Sequence, residues 1–194
     1  MPPDPYPSGT DAPSTDFRFI AHYNFPPFFT LQPNPLTRSS QLETWSTHIL
    51  SYCRHHRIFT LTLIDALSTP LFHNTILKKK LSLNDARTVL NWMASKEGGE
   101  RIEWIGGKGG KESKCWVFWR RPEEWADAVG SWVEATGQKG VVFTLYELGQ
   151  GEATRSQEFY GIDRELLHRS LQILVKKGKA QIFGQEDQLG IKFF

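Results

Sequence analysis

The sequence predicts an α+β chain in which one unit is built twice, and three observations carry this. Helical apolar spacing, an alternating strand, two further helical patterns and a hairpin pattern follow one another over residues 38–121 and again over 122–194. The triplet Phe59-Thr60-Leu61 returns as Phe143-Thr144-Leu145. Corresponding segments are offset by roughly 80 residues, within the usual size of a small domain. Helix, strand, helix, helix and hairpin is the order of a winged helix, a helix-turn-helix core with a β-hairpin wing.

The elements follow in order. From Arg38, Leu42, Trp45, Ile49, Tyr52 and Cys53 recur at three- and four-residue spacing, which lines one face of a helix ending near Arg57. Ile58 to Leu63 alternates, with β-branched content, and suits a strand. Pro70-Leu71-Phe72 opens a short second helix toward Lys80. Ser82 starts a third, with Asp85 three residues on in the manner of a capping box; Ala86, Val89, Leu90, Met93 and Trp92 form its apolar face, and Gly98-Gly99 stops it. Arg101–Ile105 and Lys114–Arg120 flank Gly106-Gly107-Lys108-Gly109-Gly110 and read as a hairpin with a long flexible tip. Pro122 suits a first helical position, followed by Glu123 and Glu124 at the positive end of the dipole. Trp125, Ala128, Val129, Trp132 and Val133 supply that helix's buried stripe, and Gly137 ends it. Val141–Leu145 reads as a strand and a short helix follows. Asp163 caps a strong helix carrying Leu166, Leu167, Leu171, Leu174 and Val175, closed by Gly178. Ala180–Phe183 then pairs with Gly190–Phe194. The expected division is a disordered tail over 1–16, an extended proline-aromatic hook over 17–37, a first winged helix over 38–121 and a second over 122–194. Arg120-Arg121-Pro122 is too short for a free hinge, so the two units should sit in a fairly fixed relation.

Composition narrows the function. The 194 residues are 39% hydrophobic and 13% aromatic, with a formal charge of +2 from 23 basic and 21 acidic residues. That near balance argues against a dedicated nucleic-acid binder. Two cysteines, Cys53 and Cys115, form no disulfide framework, so a reducing, cytoplasmic setting is the expectation. Residues 1–15 have no basic start or apolar stretch of a secretory signal. The Gly106–Lys111 run fails as a phosphate loop, because Ile105 stands where its first glycine belongs, Glu112 follows Lys111, and strands flank it. Cys53, His55 and His56 lack a second Cys/His pair at metal-finger spacing; Cys53 belongs to the apolar stripe and the histidines to a polar helix end. Catalytic patterns are missing: there is no Gly-x-Ser-x-Gly elbow, no His-Glu-x-x-His and no paired-carboxylate arrangement, so neither an enzyme nor a cofactor is expected. Lys78-Lys79-Lys80 and Lys176-Lys177-Gly178-Lys179 are shorter than lysine runs that read as lipid-binding, and fit solvated helix ends.

A winged helix raises DNA binding, since the third helix of a helix-turn-helix enters the major groove. Here those helices carry Arg87 and Lys96 against Asp85 and Glu97, and Arg164, His168, Arg169, Lys176 and Lys177 against Asp163 and Glu165. Neither has a dense basic face. A winged-helix DNA-binding transcription regulator remains the alternative to a protein-interaction module. The most telling segment is Phe25-Pro26-Pro27-Phe28-Phe29. Its prolines fix φ and remove donors, making it stiff, and its rings need cover. The run continues to Pro35, extended, and docking of the rings into a partner's pocket is favoured over burial in their own domain. Phe28 and Phe29 are then expected to be removable without unfolding the chain.

Phe25 to Asn34, Pro70-Leu71-Phe72, Trp119 to Trp125, Phe143 to Leu148 and Gly190 to Phe194 together resemble the small-subunit family of the endosomal complex ESCRT-II, in order and spacing, over residues 17–194. The resemblance implies tandem winged helices and a Y-shaped assembly in which two copies join one copy each of two larger winged-helix subunits. It maps the partner-binding Pro-Pro-x-aromatic motif onto Pro26, Pro27 and Phe29, with Phe25 and Phe28 beside them. Phenylalanine at 29 stands where some members have tyrosine. The second domain is implied to recruit the initiating ESCRT-III subunit; by position, the exposed face of the helix from Asp163 to Lys177 and its neighbouring strands is where that surface is to be sought. Peripheral association with the endosomal membrane through the complex completes the expectation.

Overall fold

The computed structural model describes residues 16–106, 113–185 and 189–194. The expected disordered tail lies outside the described residues except for Asp16, and so does most of the glycine-rich wing tip.

Helix α1 runs Pro35–His55. It starts three residues before Arg38 because the Asn34 side chain accepts hydrogen bonds from the amides of Leu36 and Thr37, with Pro35 in the first turn. Leu42, Trp45, Ile49, Tyr52 and Cys53 are all buried, as their spacing requires. Strand β1 (Thr60–Thr62) leads directly into α2 (Leu63–Ala66). The helix expected from Pro70 is not there. Thr69 closes a turn whose carbonyl accepts from the amides of Phe72 and His73, and the chain then forms a small hairpin of β2 (His73–Asn74) and β3 (Lys79–Lys80). Lys78-Lys79-Lys80 is therefore not a helix end.

Helix α3 (Leu83–Ala94) is capped by the Ser82 hydroxyl, which accepts from Asp85 N at 3.0 Å. Strands β4 (Ile102–Trp104) and β5 (Lys114–Val117) form the wing, and the sheet order is β1-β5-β4. The second unit repeats the plan with α4 (Pro122–Ala135), β6 (Val142–Thr144), α5 (Leu145–Gln150), α6 (Arg164–Lys176), β7 (Ala180–Phe183) and β8 (Gly190–Phe193), in sheet order β6-β8-β7. A 3-10 turn at Glu152–Thr154 stands where the first unit has its β2–β3 hairpin. Thr62 and Thr144 occupy the same position, the residue before the helix that follows the first strand. The true repeat is thus Leu61-Thr62-Leu63 against Phe143-Thr144-Leu145, two residues on from the triplet match. A strand's period of two hides such a slip, since it returns each side chain to the same face.

The junction is packed. Trp119 donates its indole N–H to Ile58 O at 3.0 Å and meets Trp125 of α4 edge-on at 4.8 Å, while Arg121 donates to Gly99 O at 2.7 Å. Across the units, Arg169 of α6 forms a two-pronged pair with Glu103 of β4, both contacts 2.9 Å, with its guanidinium 4.7 Å from the Trp116 ring. On the opposite flank Glu158 takes Arg54 at 2.9 Å and Arg120, and Arg57 donates to Tyr160 O at 2.8 Å.

Candidate interaction site at the proline-aromatic turn

The hook is not extended. Residues Ala21–Asn24 and Pro26–Phe29 form two successive 3-10 turns, with extended backbone at Phe25 between them. Prolines suit this, because the start of such a turn needs φ near −65° and has no use for their missing N–H. The amide of Phe28 bonds Phe25 O at 2.9 Å and that of Thr30 bonds Pro27 O at 3.3 Å.

The turn splits the five predicted contact residues into two faces. Phe28 and Phe29 point inward, 4% and 3% exposed. Phe28 lies flat on Trp45 at 4.2 Å and 9°, and Phe29 meets Trp45 edge-on at 5.8 Å and 82°. These two rings are part of the first unit's own core. The expectation that they stand clear of their own domain is corrected: the three- and four-residue spacing of Leu42, Trp45 and Ile49 along α1 leaves an apolar face around Trp45, and the nearest chain covers it. Phe25, Pro26 and Pro27 point outward, Phe25 being 56% exposed.

Polar contacts hold the turn. Gln41, buried on α1, donates to Phe28 O at 2.9 Å and Thr30 O at 3.0 Å and accepts from Gln32 N at 2.9 Å. Trp45 Nε1 donates to Phe28 O at 3.2 Å. The hydroxyl of Tyr23 reaches Pro70 O at 2.5 Å and His73 O at 3.0 Å, and Asn74 Nδ2 donates back to Tyr23 O at 2.8 Å. Burial raises the Tyr23 phenol to about 12, with Tyr52 adding to the effect, so this hydroxyl stays a donor. Gln41, Tyr23 and Asn74 were missed from sequence; Gln41 lies on α1 one residue before Leu42, but its polarity gave no sign of burial. Between the turn and α1 lies a groove of about 370 Å³, with Phe25, Pro27 and His22 on one side and Thr37, Ser40 and Thr44 on the other.

Cys53 and Cys115 are fully buried and burial pushes both thiols up, Cys115 to about 12. Among the described residues no group of three His, Cys, Asp or Glu side chains could hold a metal, and no helix is long and apolar enough to cross a membrane. A family model described as ESCRT-II complex subunit matches residues 22–163, which takes in the turn, the first unit and the second unit up to Asp163, the N-cap of α6. The chain belongs to the ESCRT-II subunit family. It is 43% identical over 178 residues to the vacuolar protein-sorting-associated protein 25 of Danio rerio, covering 92% of this chain and 99% of that relative. Among solved structures it is similar to subunit VPS25 of the endosomal trafficking complex ESCRT-II, with TM-score 0.78 and 27% identity over 91% of this chain and 98% of that one. It is also similar to a chain of the endosomal complex ESCRT-II (VPS22/VPS25/VPS36), with TM-score 0.77 and 27% identity over 90% and 98%.

The second unit of this ESCRT-II family member has an opening of its own. A cleft of about 610 Å³ lies between β6, α5, α6 and β8, with Val142, Tyr146 and Phe183 on its rim, 51%, 70% and 44% exposed. Exposed apolar side chains gathered on a cleft rim are a common feature of contact surfaces. The base-reading role of α6 is disfavoured, because Arg169 is engaged by Glu103 and Lys177 by Asp127 at 3.3 Å.

Proposed function

We propose that this chain is a non-catalytic adaptor subunit of an ESCRT-II complex, acting in endosomal sorting of ubiquitinated cargo to multivesicular bodies. The observation that carries the reading is the match to VPS25-type relatives over 92% of the chain, long enough to take in both units. The boundaries of action are those of the two units, 38–121 and 122–194. In the first, Phe25, Pro26 and Pro27 are the surface offered to the two larger winged-helix subunits. Phe28 and Phe29 act from behind, fixing the turn on Trp45 so that little entropy is lost on docking. In the second, the cleft edged by Val142, Tyr146 and Phe183 takes an apolar helix face of the initiating ESCRT-III subunit, in the manner of helix-in-groove recognition. Two copies per complex would hold two such clefts together and raise the local concentration of what they bind. The chain works in the cytoplasm, brought to the endosomal membrane by the complex.

Copurification tests the docking surface. Phe25→Asp with Pro27→Ala is expected to abolish recovery with the coexpressed larger subunits while the isolated variant keeps its thermal midpoint. Stoichiometric recovery of that variant would overturn the assignment. Phe28→Ala, by contrast, is expected to cost the isolated chain about 3–5 kcal/mol, the usual range for emptying a buried aromatic site.

A further inference from the structure

The base of the β2–β3 hairpin helps hold the proline-aromatic turn, but the outer side of its tip serves neither the fold nor the docking surface. Its turn, Thr75 to Lys78, puts Ile76 at the tip with 90% of its surface in water. Lys78, Lys79 and Lys80 follow at once, all exposed, and among the described residues no ion pair holds any of them. The tip is rigid. Asn74 is 3% exposed; its Oδ1 accepts from Leu77 N at 2.9 Å while its Nδ2 is fixed to Tyr23 O, and Lys78 turns the chain back at φ 53°. Leu77 packs against the core, so the turn divides neighbouring aliphatic residues, one inward and one out.

We propose that this hairpin tip is a contact for an anionic membrane surface, with Ile76 entering the boundary of the acyl chains and the three lysines meeting lipid headgroups. Three lysines alone fall short of the clusters that bind anionic lipid by charge. Peripheral attachment takes two signals, and a presented aliphatic side chain beside the charge supplies the second. The shape favours a bilayer over a protein partner: a four-residue tip offers a point, where a stable protein interface needs about 800 Å² from each side. It also favours a bilayer over nucleic acid, which would leave Ile76 in water and finds no aromatic platform at the tip. The contact is weak in one copy and gains from any assembly that presents more than one.

Cosedimentation of the full chain with phosphatidylcholine vesicles, with and without a large share of phosphatidylserine, tests the idea. Binding is expected only to the anionic vesicles, and raised salt should weaken it. Each lysine changed to alanine in Lys78→Ala, Lys79→Ala and Lys80→Ala should lose about fivefold in partitioning. Ile76→Asp should lose binding as well, with no change in thermal midpoint. A dye placed through Thr75→Cys, with Cys53 and Cys115 buried against labelling, should be quenched by spin-labelled acyl chains. Failure of the unaltered chain to sediment at any lipid concentration overturns the proposal, as does equal binding to neutral vesicles or an unquenched dye. Stronger capture of duplex nucleic acid or polyglutamate, indifferent to Ile76→Asp, would assign the surface to a soluble polyanion and overturn it too. Assembly with the larger subunits is read separately, so a failure here leaves the adaptor reading standing.

Discussion

His48 sits at the centre of the first unit's aromatic cluster with no exposed surface. Its Nε2 lies 3.1 Å from Leu71 O and donates to it, and among the described residues nothing bonds Nδ1. The rings of Phe17, Phe19, Tyr23, Trp45 and Tyr52 surround it at 5.2 to 6.2 Å. Burial drives its pKa down to about 4 from 6.5, against a smaller opposing pull from the Leu71 carbonyl. The folded chain therefore refuses a proton that the unfolded chain accepts. This contribution is intact above about pH 6.5 and is lost as pH falls toward 4, by about 3 kcal/mol in full. Urea melts across that window should show the slope in the native protein and a flatter profile in His48→Phe. The stripe that named Trp45, Ile49 and Tyr52 also passes through His48, three residues after Trp45. Its polarity kept it off the sequence-based list, because nothing local announces that Leu71 O will be there to receive it. Tyr23 and Asn74 escaped for the same reason: their bonds join residues about fifty positions apart.

At the scale of elements, helix starts were the most legible feature. Ser82 and Asp163 cap as their spacing predicted, and Pro122 with Glu124 opens α4, the Glu124 carboxylate accepting from Arg121 N at 2.6 Å. These signals are local chemistry, and so they survive without knowledge of the fold. The false helix at Pro70 had a similar local mark, but a short apolar run cannot settle helix against turn, and Leu71 and Phe72 are buried for tertiary reasons. Helix α3 stops at Ala94, four residues before the expected Gly98-Gly99, where Ser95 caps it and its hydroxyl donates to Trp92 O at 2.6 Å, so Gly98 is needed for another reason. A Cβ on Gly98 would stand 2.0 Å from Trp92 O and 2.6 Å from Met93 Cα, both backbone atoms that cannot turn aside. Gly98→Ala is expected to destabilise the chain by about 1–3 kcal/mol through forced displacement of the α3 end, as for other overpacked sites. Chemical denaturation would measure it, and an unchanged midpoint would mean the loop has room to shift.

Taken as a whole, the molecule is two winged helices joined without slack. The short junction was readable from sequence as a limit on motion; the partners that enforce it were not, since Glu103 and Arg169 lie in different units. Arg169 is 34% and Glu103 45% exposed, which limits the worth of the pair, but the two-pronged geometry over Trp116 raises it. A double-mutant cycle on Glu103→Gln and Arg169→Ala should give a coupling of about 1 kcal/mol, smaller in high salt. Spin labels on the two units should show a broader distance distribution in Arg169→Ala. The division of the proline-aromatic turn into an inner and an outer face matters most at this scale, because the inner face makes the domain and the outer face is the one we propose joins it to others. Hydroxyl-radical footprinting of the chain alone and in its coexpressed assembly tests that division most directly. Phe25 should be oxidised in the free chain and protected in the assembly, with Phe28 and Phe29 protected in both. Equal oxidation of Phe25 in the two states, or reactive Phe28 and Phe29 rings in the free chain, would contradict it.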